Sequence, residues 1–249
     1  MSQTRPTLQQ LGALYKTDKA DNNTFLPFYE SRFKSFRDEP IHILEIGVFF
    51  GSSLKMWHEY FPKATVYGLD HFTGHQGNGN VFSGSRQFYD EVNTLKQWPR
   101  IRLIECDQSD RKSLEVVRDW LLKQGVRFHF ILDDGSHLMK DQQQTLAILW
   151  PLLTENGQYY MEDWGSSLDL RYPDVKPDFS NTTLTMMKGF NSNKQIESCY
   201  MTQDEQTMLT QQVKHPIFLF DQNSSTTACF EYKAKKPENK QESKQESKE

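Results

Sequence analysis

The sequence predicts an α/β fold: a doubly wound, mostly parallel seven-stranded sheet with a terminal antiparallel strand pair. Three observations carry it. From residue 41 onward, short apolar runs alternate with stretches of helical spacing, the pattern of strand–helix crossovers. The run 128–133 is nearly continuous in apolar residues, as a strand covered on both faces is. The last two runs, 216–221 and 227–232, have no helix between them and so pair antiparallel.

Taking the elements in order, residues 8–15 suit a short helix, followed by a polar stretch to residue 23. Phe25, Phe28, Tyr29, Phe33 and Phe36 fall near helical spacing, which predicts an amphipathic helix over 25–36. The first strand, 41–46, runs into Gly47-Val48-Phe49-Phe50-Gly51-Ser52-Ser53 and a helix over 54–61, with Ser52 or Ser53 as its cap. A strand, a glycine turn and a helix start bring backbone close to a ligand, although Glu-x-Gly-x-x-x-Gly is not the dinucleotide fingerprint. The second strand, 65–70, ends in Asp70, 23 residues after Gly47, where an acid suits ribose hydroxyls. Residues 71–85, rich in glycine, read as a mobile lid or substrate loop. A helix over 86–98 precedes the third strand, 101–106; Asp107 follows, and Ser109 and Asp110 are caps for a helix reaching 124.

The fourth strand, 128–133, delivers Asp133-Asp134-Gly135-Ser136-His137 to the edge of the sheet. A helix over 140–150 stops at Pro151, and Asn156-Gly157 turns into a fifth strand ending at Glu162-Asp163. Taken singly, each carboxylate also suits a helix cap or a solvated turn. Adjacent strands, however, would gather Asp134, Glu162 and Asp163, and such a group calls for a cation or protons. A hard divalent cation answers that need. Beyond lie a long loop, 164–182, and partly helical sequence, 183–214. Residues 1–40 read as a helical lead-in, 41–233 as the main domain and 234–249, which repeats Gln-Glu-Ser-Lys, as a disordered tail.

The 249 residues, 36% hydrophobic, suffice for one sizeable core. A net charge of −4 leaves no basic footprint and argues against nucleic acid. A mean hydropathy of −0.74, with no 18-residue apolar run, argues against a membrane-spanning helix. The first residues lead into no apolar stretch, so no secretory signal is expected. Cys106, Cys199 and Cys229, odd in number and widely spaced, fit reduced thiols in a cytoplasm.

Over residues 10–233 the chain resembles one family closely. The matching residues are Thr17-Asp18-Lys19, Tyr29, Leu44-Glu45-Ile46-Gly47-Val48, Gly51-Ser52-Ser53-Leu54 with Met56-Trp57, and Tyr60-Phe61-Pro62. They continue with Gly68-Leu69-Asp70, Asp107, Asp133 to His137 and Glu162-Asp163. In this order they resemble the class I S-adenosylmethionine-dependent methyltransferases, in particular the metal-dependent macrolide sugar O-methyltransferases of the mycinamicin 2″-O-methyltransferase type. Relatives bearing the name cephalosporin hydroxylase share the pattern.

The resemblance implies a Rossmann-like domain using S-adenosyl-L-methionine and Mg2+ on a glycosylated small-molecule acceptor, and it leaves room for a homo-oligomer. It assigns Glu45, Gly47, Gly51 and Ser52 to the cofactor turn, Asp70 to the ribose and Asp107 to the adenine edge. Asp133, Lys19 and Tyr29 fall on the cofactor side as well. Asp134, Glu162 and Asp163 would bind the metal, and His137 would be the general base. Phe49-Phe50 departs from the family's less bulky turn, and the segments 72–100 and 164–200 offer no match that names an acceptor.

The implied chemistry is coherent. A sugar hydroxyl is a poor nucleophile near pH 7. A dication acidifies bound oxygen, and a nearby imidazole then removes the proton. Two other readings are a protein that binds the cofactor or a glycan without turnover, and an Fe(II) oxygenase. The oxygenase needs two histidines and a carboxylate, yet His137 is the one histidine predicted at a site edge.

Overall fold

The computed structural model describes residues 5–20, 25–74, 86–222 and 225–233. Residues 75–85 of the glycine-rich loop and the tail 234–249 lie outside the described residues.

The strands are β1 (His42–Ile46), β2 (Thr65–Asp70), β3 (Ile101–Glu105), β4 (Phe128–Asp133), β5 (Leu153–Glu162), β6 (Phe218–Gln222) and β7 (Ser225–Glu231). They form one sheet in the order β3-β2-β1-β4-β5-β7-β6, parallel from β3 to β5 and antiparallel at β5–β7 and β7–β6. The order reverses between β1 and β4. That reversal is the place where open α/β sheets bind ligands, outside the carboxyl ends of their strands.

The helices are α1 (Leu8–Tyr15), α2 (Phe25–Phe33), α3 (Ser52–Tyr60), α4 (Arg86–Leu95), α5 (Arg111–Lys123), α6 (Met139–Leu149), α7 (Thr183–Asn193) and α8 (Gln203–Gln212). Successive strand residues point to opposite faces, and each face has its own core. Ile131, Tyr159 and Met161 pack with Leu114, Leu121, Leu146, Trp150 and Phe190 from α5, α6, α7 and the turn after α6. Phe130, Leu132 and Tyr160 pack with Leu8, Tyr29, Phe33, Trp57 and Tyr60 from α1, α2 and α3. The lead-in thus belongs to the same core as the sheet. Each large apolar side chain buried there stabilises the fold by about 1.5–3 kcal/mol.

Three local expectations are corrected. Neither Ser52 nor Ser53 caps α3: the cap is Gly51, at φ 73°, with no side-chain bond, and Ser52 is the first helical residue. Ser53 instead donates to the Glu45 carboxylate at 2.7 Å. Ser109 does not cap α5 either; Asp110 does, accepting from the Lys112 N–H at 3.0 Å, while Ser109 bonds to Asp107. Asn156-Gly157 lies within β5 rather than before it. Leu153 pairs with Phe128 and Gln158 with Phe130, so the residues between bulge out, with Asn156 at φ 69°.

Candidate metal and cofactor site

Register builds the site. Ile46 lies opposite Leu69 on one side and Asp133 on the other, and Asp133 lies opposite Met161. One residue further on, Asp70, Gly47, Asp134 and Glu162 stand side by side at the carboxyl edge of β2, β1, β4 and β5. The Asp134 N–H donates to the Ile46 carbonyl at 3.0 Å, holding that row.

Gly47 has φ 86°, and a Cβ there would lie 2.1 Å from the Asp134 carbonyl oxygen. No side chain fits, so the turn after β1 and the loop after β4 are in backbone contact. Gly51, at φ 73°, is constrained mainly by its backbone; a Cβ there would meet the tip of the Leu95 side chain at 2.2 Å. Phe49 takes φ 50°, an uncommon conformation for a bulky residue. Its neighbour Phe50 stacks edge-on against Phe88 of α4, with centroids 5.8 Å apart. Asp70 turns its carboxylate to this turn. Oδ2 accepts from the Val48 N–H at 2.8 Å and the Phe49 N–H at 3.4 Å, and Oδ1 from the Phe72 N–H at 2.8 Å. The Asp107 carboxylate closes its own turn, accepting from the N–H and hydroxyl of Ser109.

On the β4–β5 side, the two adjacent aspartates part ways. Asp133 faces the core, accepting from Gln108 Nε2 at 2.8 Å and the Tyr159 hydroxyl at 2.7 Å; burial pushes its pKa up to about 6. Asp134 faces the site. Asp134, His137 and Asp163 each offer one ligand atom, all within 4.8 Å of one another. His137 Nε2 lies 3.8 Å from Asp134 Oδ1 and 3.7 Å from Asp163 Oδ2. His137 Nδ1 is buried and has no hydrogen-bond partner among the described residues. Burial raises the pKa of Asp163, against the pull of His137.

Glu162 sits one layer deeper, 3% exposed. Its Oε1 accepts from the Tyr29 hydroxyl at 2.8 Å and its Oε2 from Lys19 Nζ at 2.7 Å. Lys19 also reaches Asp134 Oδ2 at 2.5 Å and Glu45 Oε1 at 3.6 Å. Burial opposes the charge on Lys19, but Asp134, Glu162 and Glu45 outweigh it and hold its pKa well above the ordinary lysine value. Burial brings Glu45 up to about 7 and raises Glu162 and Tyr29 as well.

A set of glutamines that the sequence reading passed over holds these loops. Gln108 donates to Asp133 and accepts from the Ser136 N–H at 3.0 Å, tying the loop after β3 to the loop after β4. On α6, Gln142 donates to the Glu162 carbonyl, Gln143 to the Asn181 carbonyl and Gln144 to the Gln108 carbonyl, at 3.1, 2.9 and 2.6 Å. All three are buried. Three consecutive amides inside a predicted helix following the Asp133–His137 edge were the available signal, since buried polar groups demand partners.

No family model matches the chain. It is 30% identical over 167 residues to the mycinamicin VI 2″-O-methyltransferase of Micromonospora griseorubida, covering 64% of this chain and 36% of that protein. It is 28% identical over 190 residues to the 8-demethyl-8-alpha-L-rhamnosyl tetracenomycin-C 2′-O-methyltransferase of Streptomyces olivaceus, covering 74% and 44%. The chain thus spans less than half the length of these curated relatives. Among solved structures, it superposes on the MycE methyltransferase of the mycinamycin biosynthetic pathway, solved in complex with Mg and SAH. The TM-score is 0.67 at 24% identity, covering 95% of this chain and 57% of that one. The chain therefore has the class I methyltransferase fold, and its sequence relatives are O-methyltransferases that bear the names of macrolide- and rhamnosyl-modifying enzymes.

Proposed function

We propose that the protein is an S-adenosylmethionine-dependent, Mg2+-dependent O-methyltransferase acting on a sugar hydroxyl of a glycosylated small molecule. The contact between Gly47 and Asp134 carries this reading. It sets the glycine turn, a site for a nucleoside cofactor, directly against a carboxylate–imidazole cluster. The sulfonium supplies an already activated methyl group, so in-line placement is the main task left to the protein. Mg2+ supplies a Lewis acid that eases loss of the hydroxyl proton.

The donor set fits a hard divalent ion. Asp134 and Asp163 converge beside His137, with Glu162 buried behind them, and carboxylate oxygens are the ligands Mg2+ prefers. The residues of the chain do the rest. Asp134, Glu162 and Asp163 would hold the ion. His137 takes the hydroxyl proton at Nε2, and the carboxylates of Asp134 and Asp163, both under 4 Å away, steady the imidazolium that forms. Gly47 and Gly51 let the cofactor turn pack closely at positive φ, Asp70 fixes its backbone and would meet the ribose, and Asp107 would meet the adenine edge. Lys19 and Tyr29 bind the lead-in to Glu162, so residues 1–40 and 41–233 work as one unit.

The cluster has one histidine and two carboxylates, which disfavours the Fe(II) oxygenase reading. Among the described residues, no helix is long and apolar enough to cross a membrane. The three cysteines are free, which supports a reducing cytoplasm as the location. The test is transfer of labelled methyl from S-adenosylmethionine, with Mg2+ present, to a panel of glycosides. Label on acceptors with free vicinal hydroxyls is expected; no label on any glycoside would remove the reading.

A further inference from the structure

Lys19 is 4% exposed, in a short 3-10 turn (Asp18–Ala20) between α1 and α2. Its ammonium bridges two strand ends, Asp134 just after β4 and Glu162 at the end of β5, at 2.5 and 2.7 Å. An ammonium is a compact cation with three donors and no acceptor, so it gathers carboxylate oxygens much as a metal ion does. Asp134 belongs to both arrangements: Oδ2 is on Lys19, while the residue is also one of the three whose ligand atoms converge within 4.8 Å. Glu162 belongs only to the first, with its two oxygens given to Tyr29 and Lys19.

Resting on the metal reading above, we propose that Lys19 is a built-in competitor of the divalent cation. It holds Asp134 and Glu162 together when no metal is bound, and it gives up Glu162 to the ion when one enters. Charge explains the exchange. Lys19 faces three carboxyl groups, Glu45, Asp134 and Glu162, and Asp163 lies beside Asp134, so among the described residues acidic groups outnumber the one ammonium that joins them. That acidic surplus attracts a dication, which holds the carboxyl groups in their ionised form. A dication at Asp134 would share that residue with Lys19 and repel its ammonium through a poorly screened interior. With neither cation present, Glu45 and Glu162 would be buried and unpaired, which is strongly destabilising. Lys19 thus keeps the metal-free fold intact and weakens metal binding below what the carboxylates alone would give.

The experiment is calorimetric titration of Mg2+ into the wild type, Lys19→Met and Lys19→Arg, with melting curves in EDTA and in saturating Mg2+. Lys19→Met removes one unit charge beside the ion and should bind Mg2+ about tenfold more tightly or better. Its metal-free melting temperature should fall, and its rise on adding Mg2+ should exceed that of the wild type. Lys19→Arg, which keeps the charge, should bind close to the wild-type value. Equal or weaker Mg2+ binding by Lys19→Met overturns the proposal. A second measurement needs no variant: amine-reactive labelling of Lys19 in the wild type, read by mass spectrometry. Labelling should rise several-fold with Mg2+, and unchanged labelling overturns the proposal even where Lys19→Met does not fold. A wild type that binds no Mg2+ overturns the metal reading itself, and this inference with it.

Discussion

His137 holds its backbone at φ 59°, a region that costs about 1–3 kcal/mol for a residue other than glycine. The Ser166 hydroxyl secures that conformation by donating to the His137 carbonyl at 3.0 Å, and the ring is aimed at Asp134 and Asp163. As a base rather than a ligand, His137→Ala should lower turnover about 10²–10⁴-fold and leave calorimetric Mg2+ affinity unchanged. A matching loss of Mg2+ affinity would make it a ligand. Asp70 has a double duty, because it orders the turn it serves. Asp70→Ala should weaken S-adenosylmethionine binding by about 1.5–3 kcal/mol, measured by calorimetry on folded protein; unchanged affinity would take Asp70 out of the cofactor site. The residues at strand ends were legible, since an apolar run that stops at an acid announces its position. Lys19 was less so. Its partners lie 115 and 143 positions along the chain, and nothing local marks it as a buried counter-charge. Gln108 was missed for the same reason, its Asp133 partner being 25 positions away.

At the scale of elements, the turn after β1 is the most constrained piece. Gly47→Ala would force a Cβ into the Asp134 carbonyl at an unfavourable φ. The substitution should lower stability by about 2–4 kcal/mol, combining strain with overpacking. Denaturant unfolding checks this, and a shift under 1 kcal/mol would show that the turn and the β4 loop yield independently. The strands β2 and β4 matched their sequence runs residue for residue, because β-rich apolar runs bounded by polar residues leave little choice of ends. Helix starts were harder. Ser52 and Ser53 look like caps, but the left-handed Gly51 turns the chain so that Ser53 faces Glu45 instead. Asn156-Gly157 has the composition of a turn between elements, yet pairing on both sides of it keeps it inside β5.

For the whole molecule, the parallel sheet with its antiparallel end was legible from the alternation of runs, and register then dictates which side chains meet. The place of the lead-in was not. Aromatic spacing in α2 showed that Tyr29 and Phe33 were buried, but not that they close over β4 and β5, against Phe130 and Tyr160. That placement brings Lys19 and Tyr29 to Glu162 and makes the carboxylate group depend on two distant parts of the chain. The central claim is that this group works as a metal site for methyl transfer. Transfer of labelled methyl to a glycoside, followed in EDTA and again after excess Mg2+ is restored, tests it most directly. Turnover should vanish in EDTA and return with Mg2+; full turnover in EDTA would contradict it.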